Sequence, residues 1–231
     1  MTQIRKRADS IVSAVELAAD SYADPNLLTI NAAMITDACK AGKVNMDAAA
    51  FEIQQIMTLL GKQGLTLGDQ SADAYVLVLG GKLKLSINWK GWAKLCRRHG
   101  MELLASAVKE GDQFSVGDQG LKHNGNPFAD GRTIGWYTVI NKGGVQVAYS
   151  AMSLKDMEAR KKQSKRPNQY EQWQDEMMFA KTARQACERA GLLSDVAGVS
   201  LDDDWAEPLP DEVEPQVTPE MYSDDDLPFG N

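Results

Sequence analysis

Between Ile87 and Trp92 the hydrophobic period of this chain changes from two to roughly three and a half. On the near side, Leu83, Leu85 and Ile87 alternate with Lys82, Lys84 and Ser86, and the apolar run Tyr75–Leu79 precedes them across Gly80-Gly81. That is the pattern of a β-hairpin with one buried face. On the far side, Trp92, Leu95, Cys96 and His99 fall at i, i+3, i+4 and i+7, which makes one apolar helical face. A hairpin that runs straight into an amphipathic helix argues for an α+β fold rather than alternating βαβ units.

The rest of the chain fits that class. Ile11, Val15, Ala18 and Tyr22 recur at helical spacing, as do Ile53, Ile56, Met57 and Leu60. Asp47 is a candidate cap for the second of these helices, and Gly61 or Gly64 a candidate end. Leu103–Val108, Thr133–Ile140 and Val145–Tyr149 read as strands, the last two joined through Asn141–Gly144. Helices are expected over Ser153–Ser164 and Gln169–Ala190, separated at Pro167. The expected architecture is a small antiparallel sheet core flanked by helices.

After Gly198 the pattern fails, and Pro208, Pro210, Pro215 and Pro219 interrupt an acidic run. Such a composition cannot bury enough apolar surface to offset its ordering entropy, so a disordered tail is expected over residues 201–231. Residues 1–200 are left as the folded body. Charge divides at the same boundary. Residues 201–231 hold eleven acids and no Lys or Arg, whereas the other 200 residues carry all 25 basic residues against 21 acids. Within Lys82–Arg189 the balance is 19 basic to 11 acidic residues. The net charge of −7 therefore conceals a basic body and an acidic tail, and a polyanionic partner stays in play. Cys39, Cys96 and Cys187 are widely spaced and odd in number, which fits buried thiols in a reducing, cytoplasmic setting.

The chemistry concentrates in three basic stretches. In "INWKGWAKLCRRHG", Lys90, Lys94, Arg97 and Arg98 fall at i, i+4, i+7 and i+8 beside the apolar face, with no acid interleaved. A basic stripe next to aromatics suits a nucleic-acid strand, since cations meet phosphates and rings offer stacking area. The alternative is a solvated amphipathic helix with its tryptophans in the core. "KDMEARKKQSKRPNQ" adds Arg160 and Lys161 within a dense basic run, which reads as a phosphate contact or as a surface loop. In "MMFAKTARQACERAGLL", Lys181, Arg184 and Gln185 share a helical face opposite Met, Phe, Ala and Cys. Trp89 and Trp92 are expected to position the first of these helices rather than to stack on bases.

Absences narrow the field. No G-x-x-x-x-G-K-[ST] stretch occurs, which argues against a P-loop ATPase. His99 and His123 are the only histidines and neither has a partner at zinc spacing, so no metal site is expected. A two-metal nuclease needs clustered acids, and only Glu110 and Asp112 stand near a strand end.

"INWKGWAKLCRRHG" followed by "VKEGDQF" resembles the hallmark of RecT-type phage single-strand annealing proteins. The matching residues are Trp89, Lys90, Gly91, Leu95, Arg97, Arg98 and Gly100, then Lys109, Glu110, Gly111, Asp112 and Phe114. A closing helix with Trp173, Met178, Lys181, Thr182 and Arg184 is similar to the family's, and "KTARQACERAG" resembles the Redβ branch. The resemblance implies a Rad52-like annealing fold, assembly into rings or filaments, and ATP-independent pairing of complementary single strands inside a bacterial host cell. It implies no covalent catalysis and no cofactor, with a Mg²⁺ dependence of annealing left open. The residues expected to meet single-stranded DNA are Lys90, Lys94, Arg97, Arg98, Arg160, Lys161, Lys181 and Arg184. A passive single-strand protector and, less favoured, a metal-dependent nuclease are the alternatives.

The end of the tail has its own resemblance. Asp224, Asp225, Asp226, Leu227, Pro228 and Phe229 are similar to the acidic tip of bacterial single-stranded-DNA-binding proteins, though Gly230 and Asn231 follow the Phe here. The resemblance implies a partner with a basic-rimmed apolar notch, such as a companion exonuclease or a host protein. The competing expectation is that the acids fold back over the chain's own basic groove.

Overall fold

The computed structural model describes residues 8–68, 72–117, 120–126, 130–164, 167–199 and 201. Three helices come first: α1 (Ile11–Ala19), α2 (Pro25–Ala41) and α3 (Ala50–Gln63). Ser10 caps α1 by accepting from Ser13 N, and Asp24 with Pro25 at the first helical position starts α2. The second cap differs from expectation. No side chain caps α3, and Asp47 instead accepts from Ile11 N at 3.4 Å, tying α1 to the turn before α3. Gly64, at φ 61°, ends α3 with the left-handed turn that a Cβ disfavours. Ile53, Ile56, Met57 and Leu60 are all buried, as their spacing predicts.

The hairpin follows as β1 (Ala74–Leu79) and β2 (Lys82–Ile87), turned at Gly80 and Gly81 with φ of 58° and 76°. Leu83, Leu85 and Ile87 are buried on one face, so the alternation is realised. Asn88 then accepts from Lys90 N at 2.7 Å and starts α4 (Trp89–Arg98). Trp92, Leu95 and Cys96 are buried, but the helix ends at Arg98, one residue short of the predicted face. His99 is its C-cap and is exposed, bonded to Asp195 at 2.6 Å.

The main sheet is antiparallel, in the order β3 (Met101–Lys109), β6 (Thr133–Lys142), β7 (Val145–Ser153). Its first face carries Trp136, Thr138 and Ile140 opposite Met152, Ser150 and Ala148. That face is covered by α7 (Gln174–Arg189), which packs on all three strands, while α4 packs on β3 and on α7. Thr138 and Thr182 share a hydrogen bond at 2.8 Å inside this layer, and Trp136 donates to Asp175 at 2.7 Å. Two shorter helices, α5 (Leu154–Gln163) and α6 (Pro167–Gln172), close one end around Met157 and Tyr170. Pro167 opens α6 rather than merely separating two helices.

The second face of the sheet carries an unexpected hairpin, β4 (Gln113–Gly117) and β5 (Gly120–Asn124). The Phe114 ring meets Tyr137 at 5.7 Å and His123 at 6.0 Å. Gln146 of β7 accepts from Leu121 N at 2.8 Å and donates to Leu121 O at 3.2 Å, bonding as a peptide group would. The fold is thus α+β, with small antiparallel sheets flanked by helices. Among the described residues, no helix is long and apolar enough to cross a membrane.

Candidate nucleic-acid interface

The two basic helices α4 and α7 pack directly on each other. Small side chains allow this approach: Ala183, Ala186 and Cys187 of α7 are buried in the same core as Leu95 and Cys96 of α4. The two thiols come within 3.6 Å of each other. Hydrogen bonding to the partner sulfur lowers the Cys96 pKa, while the same contact and burial push Cys187 far above the usual thiol range. Both thiols are fully buried.

Lys181 and Arg184 project from α7 into a crevice walled by Leu85, Ser86 and Ile87 of β2, Tyr75 of β1 and Trp92 of α4. Leu201 lies in the same crevice and bridges to Leu85 in parallel register, on the edge of β2 that β1 leaves open. Lys90 is half-buried in the first turn of α4. Arg97 and Arg98 are exposed in its last turn, where cations also favour the helix dipole. Trp92 is only 1 % exposed, and Trp89 packs edge-on against Phe179 with centroids 6.3 Å apart.

Two of the expected phosphate contacts already hold carboxylates. Lys94 Nζ meets Asp73 at 2.9 Å, so a residue 21 positions away cancels a charge that no acid within the helix could. Lys161 pairs with Glu171 at 2.8 Å, and that bond raises its pKa. Arg160 lies beside it, half-buried near Asp156 and Tyr170, and desolvation lowers its pKa. Both sit on α5, which packs on α6, β6 and β7. Gln185 leaves the expected basic face altogether: Ser150 of β7 donates to its carbonyl at 2.7 Å. Arg189 bonds Tyr149 O at 2.7 Å and serves the sheet. Asp224–Phe229 of the tip lie outside the described residues.

The stretch Lys109–Phe114 is a turn device. Gly111, at φ 91°, carries the chain from β3 to β4. Asp112 Oδ2 accepts from Lys109 N at 2.7 Å and lies 2.9 Å from His123 Nε2, whose other nitrogen is 3.1 Å from Tyr137 Oη. The Lys109 amide, and after it His123, hold the Asp112 carboxyl below its ordinary pKa. This acid is spent on folding its own hairpin. Among the described residues no three His, Cys, Asp or Glu side chains are grouped to hold a metal ion.

Several contributors were invisible to local pattern. Asp73 and Tyr75 precede the basic helix by more than a dozen residues, and only pairing of the hairpin brings them to it. Leu201 stands alone at the start of an acidic run, with no periodicity to mark it. A larger hollow of about 670 Å³ lies elsewhere, between α1, α3 and residues 194–199. It is lined by one cation, Lys62, against Asp195, and does not suit a polyanion.

Gly91 and Thr182 have structural duties that account for their residue types. A Cβ on Gly91 would stand 2.4 Å from Asp73 O, and Thr182 is fully buried against Thr138. A search of curated protein sequences finds no match to the chain. The model of the RecT family matches residues 32–219, which runs from within α2 through α7. The chain therefore belongs to the RecT family, the single-strand annealing proteins of phage recombination.

Proposed function

We propose that the protein binds single-stranded DNA along the joined basic surface of α4 and α7 and speeds the pairing of complementary strands without ATP. The observation that carries this reading is the crevice in which Lys181 and Arg184 face the helix bearing Lys90, Arg97 and Arg98. These cations neutralise phosphates and leave the bases outward for a second strand. Lys94, Arg160 and Lys161 are secondary contacts that would exchange a carboxylate for a phosphate. Trp89 and Trp92 hold α4 in place. The chemistry is physical rather than covalent, and no cofactor is needed.

Annealing also requires copies side by side, so that one strand is held over many bases. Leu104 and Val147 on the main sheet and Ile30 and Met34 on α2 are exposed apolar residues that a second copy would cover. Assembly into a ring or filament is part of the proposal. The acidic tip Asp224–Phe229 is proposed to recruit a companion exonuclease or host protein.

The test is a pairing assay with complementary oligonucleotides across a salt series. Protein-bound strands should pair faster than free strands, and affinity should fall steeply with salt. Replacing Lys181 and Arg184 together with Ala should reduce the salt slope by roughly 1.4, at about 0.7 for each phosphate of a single strand that is no longer neutralised. Bound strands that pair no faster than free ones would leave a passive protector instead.

A further inference from the structure

We propose that Leu201 is a latch on the DNA-binding crevice: seated there it closes Lys181 and Arg184 to a phosphate, and a strand gains both cations only when this residue swings out. The inference rests on the functional reading above and adds a regulation of the same site.

Lys181 and Arg184 are half-buried, and the crevice they line leaves about 30 Å³ open with Leu201 in place. That is room for about one or two waters. A phosphate group, whose every oxygen is the size of a water, does not fit beside the leucine. Leu201 is seated by its parallel bridge to Leu85 and by packing against the main core, with Tyr75, Ile87 and Trp92 walling the crevice around it. The seat is a light one. Its contact with β2 is an isolated bridge rather than a ladder, and the leucine is only half-buried. Release therefore costs one backbone pairing and part of one side chain's burial, which charge-assisted bonds from a phosphate to two cations can offset. Val199 offers a contrast on the same segment: it packs on the same core but lines the hollow between α1 and α3. The latch is apolar, so it closes the crevice by occupying space and not by competing as an anion.

The experiment uses the full chain and an oligo-dT probe. Leu201→Ala should bind the probe about three- to tenfold tighter, since the apparent Kd is the intrinsic value divided by the open fraction. Val199→Ala should not. The gain should vanish where Lys181 and Arg184 are already Ala, because both changes act through one site. It should hold from low to high salt, because the latch carries no charge. A second variant, Leu85→Cys/Leu201→Cys, places two thiols on bridged strands about 4.8 Å apart, within disulfide reach. Oxidised with glutathione disulfide, it should bind more weakly than the same chain after reduction, while the parent chain is indifferent to the treatment. Equal or weaker binding by Leu201→Ala, or equal binding by the oxidised and reduced forms of the second variant, overturns the latch and leaves the DNA-binding reading intact. Failure of every form to bind the probe overturns both.

Discussion

Replacing Gly91 with Ala should cost about 2 kcal/mol of stability, although alanine is the better helix former. The expectation follows from where the new methyl would go. It would stand 2.4 Å from Asp73 O and 2.7 Å from Ile87 Cγ2, so roughly 1 Å of movement is required. The carbonyl is not free to yield. Asp73 O accepts from Asn88 N at 2.9 Å, Asp73 N donates to Thr66 O at 3.2 Å, and its carboxylate holds both Thr66 N and Lys94. Overpacking costs about 1–3 kcal/mol, and loss of the Asn88 bond adds about 1. The intrinsic preference of a helix for Ala over Gly returns about 1. At a melting-temperature change of about 2–4 °C per kcal/mol for a chain of this size, the midpoint should fall by roughly 4–8 °C. Thermal unfolding followed by circular dichroism reads this directly. A midpoint that is unchanged or higher would show that the Asp73 segment gives way freely, and the steric account of this glycine would be wrong.

Two further expectations concern titration. Asp112 has a depressed pKa, so its contribution to stability is complete above the ordinary carboxylate value and is lost as pH falls through the lower folded value. Asp112→Asn should weaken the protein at neutral pH and flatten the acid limb of its stability curve, as measured by denaturant midpoints from pH 7 down to pH 3. Burial raises Tyr22 to about 12 against a partial offset from Asn31, so its stabilising share is present below pH 10 and lost as pH rises through about 12. An ultraviolet titration of the phenols should show a late step near 12, and Tyr22→Phe should remove that step; an unchanged titration would refute the assignment.

The α+β class and the basic helix were legible because their signals are local. Leu83, Leu85 and Ile87 lie two apart, and Gly80-Gly81 permits the positive φ of the turn. The β4–β5 hairpin was not legible. Its strands are five residues each and largely exposed, and their place depends on Phe114, His123 and Leu121 meeting Tyr137 and Gln146 across the chain. Nor was α2 marked, for its buried face includes Asn31, a polar residue whose amide reaches Leu65 O and Leu67 N. Periodicity also overran at His99, since spacing alone does not say that α4 ends at Arg98. At the interface, residue type pointed to Lys90, Arg97, Arg98, Lys181 and Arg184, whereas the pairing of Lys94 with Asp73 and of Lys161 with Glu171 is a tertiary matter.

The contact between Cys96 and Cys187 has a consequence beyond packing. These two sulfurs, 3.6 Å apart, set how far α4 stands from α7, and with it the distance between two rows of positive charge. On the binding surface proposed above, the volume of these two buried side chains would set where both rows of cations meet one strand. Selection on that pair would follow the spacing of phosphates as much as the stability of the core.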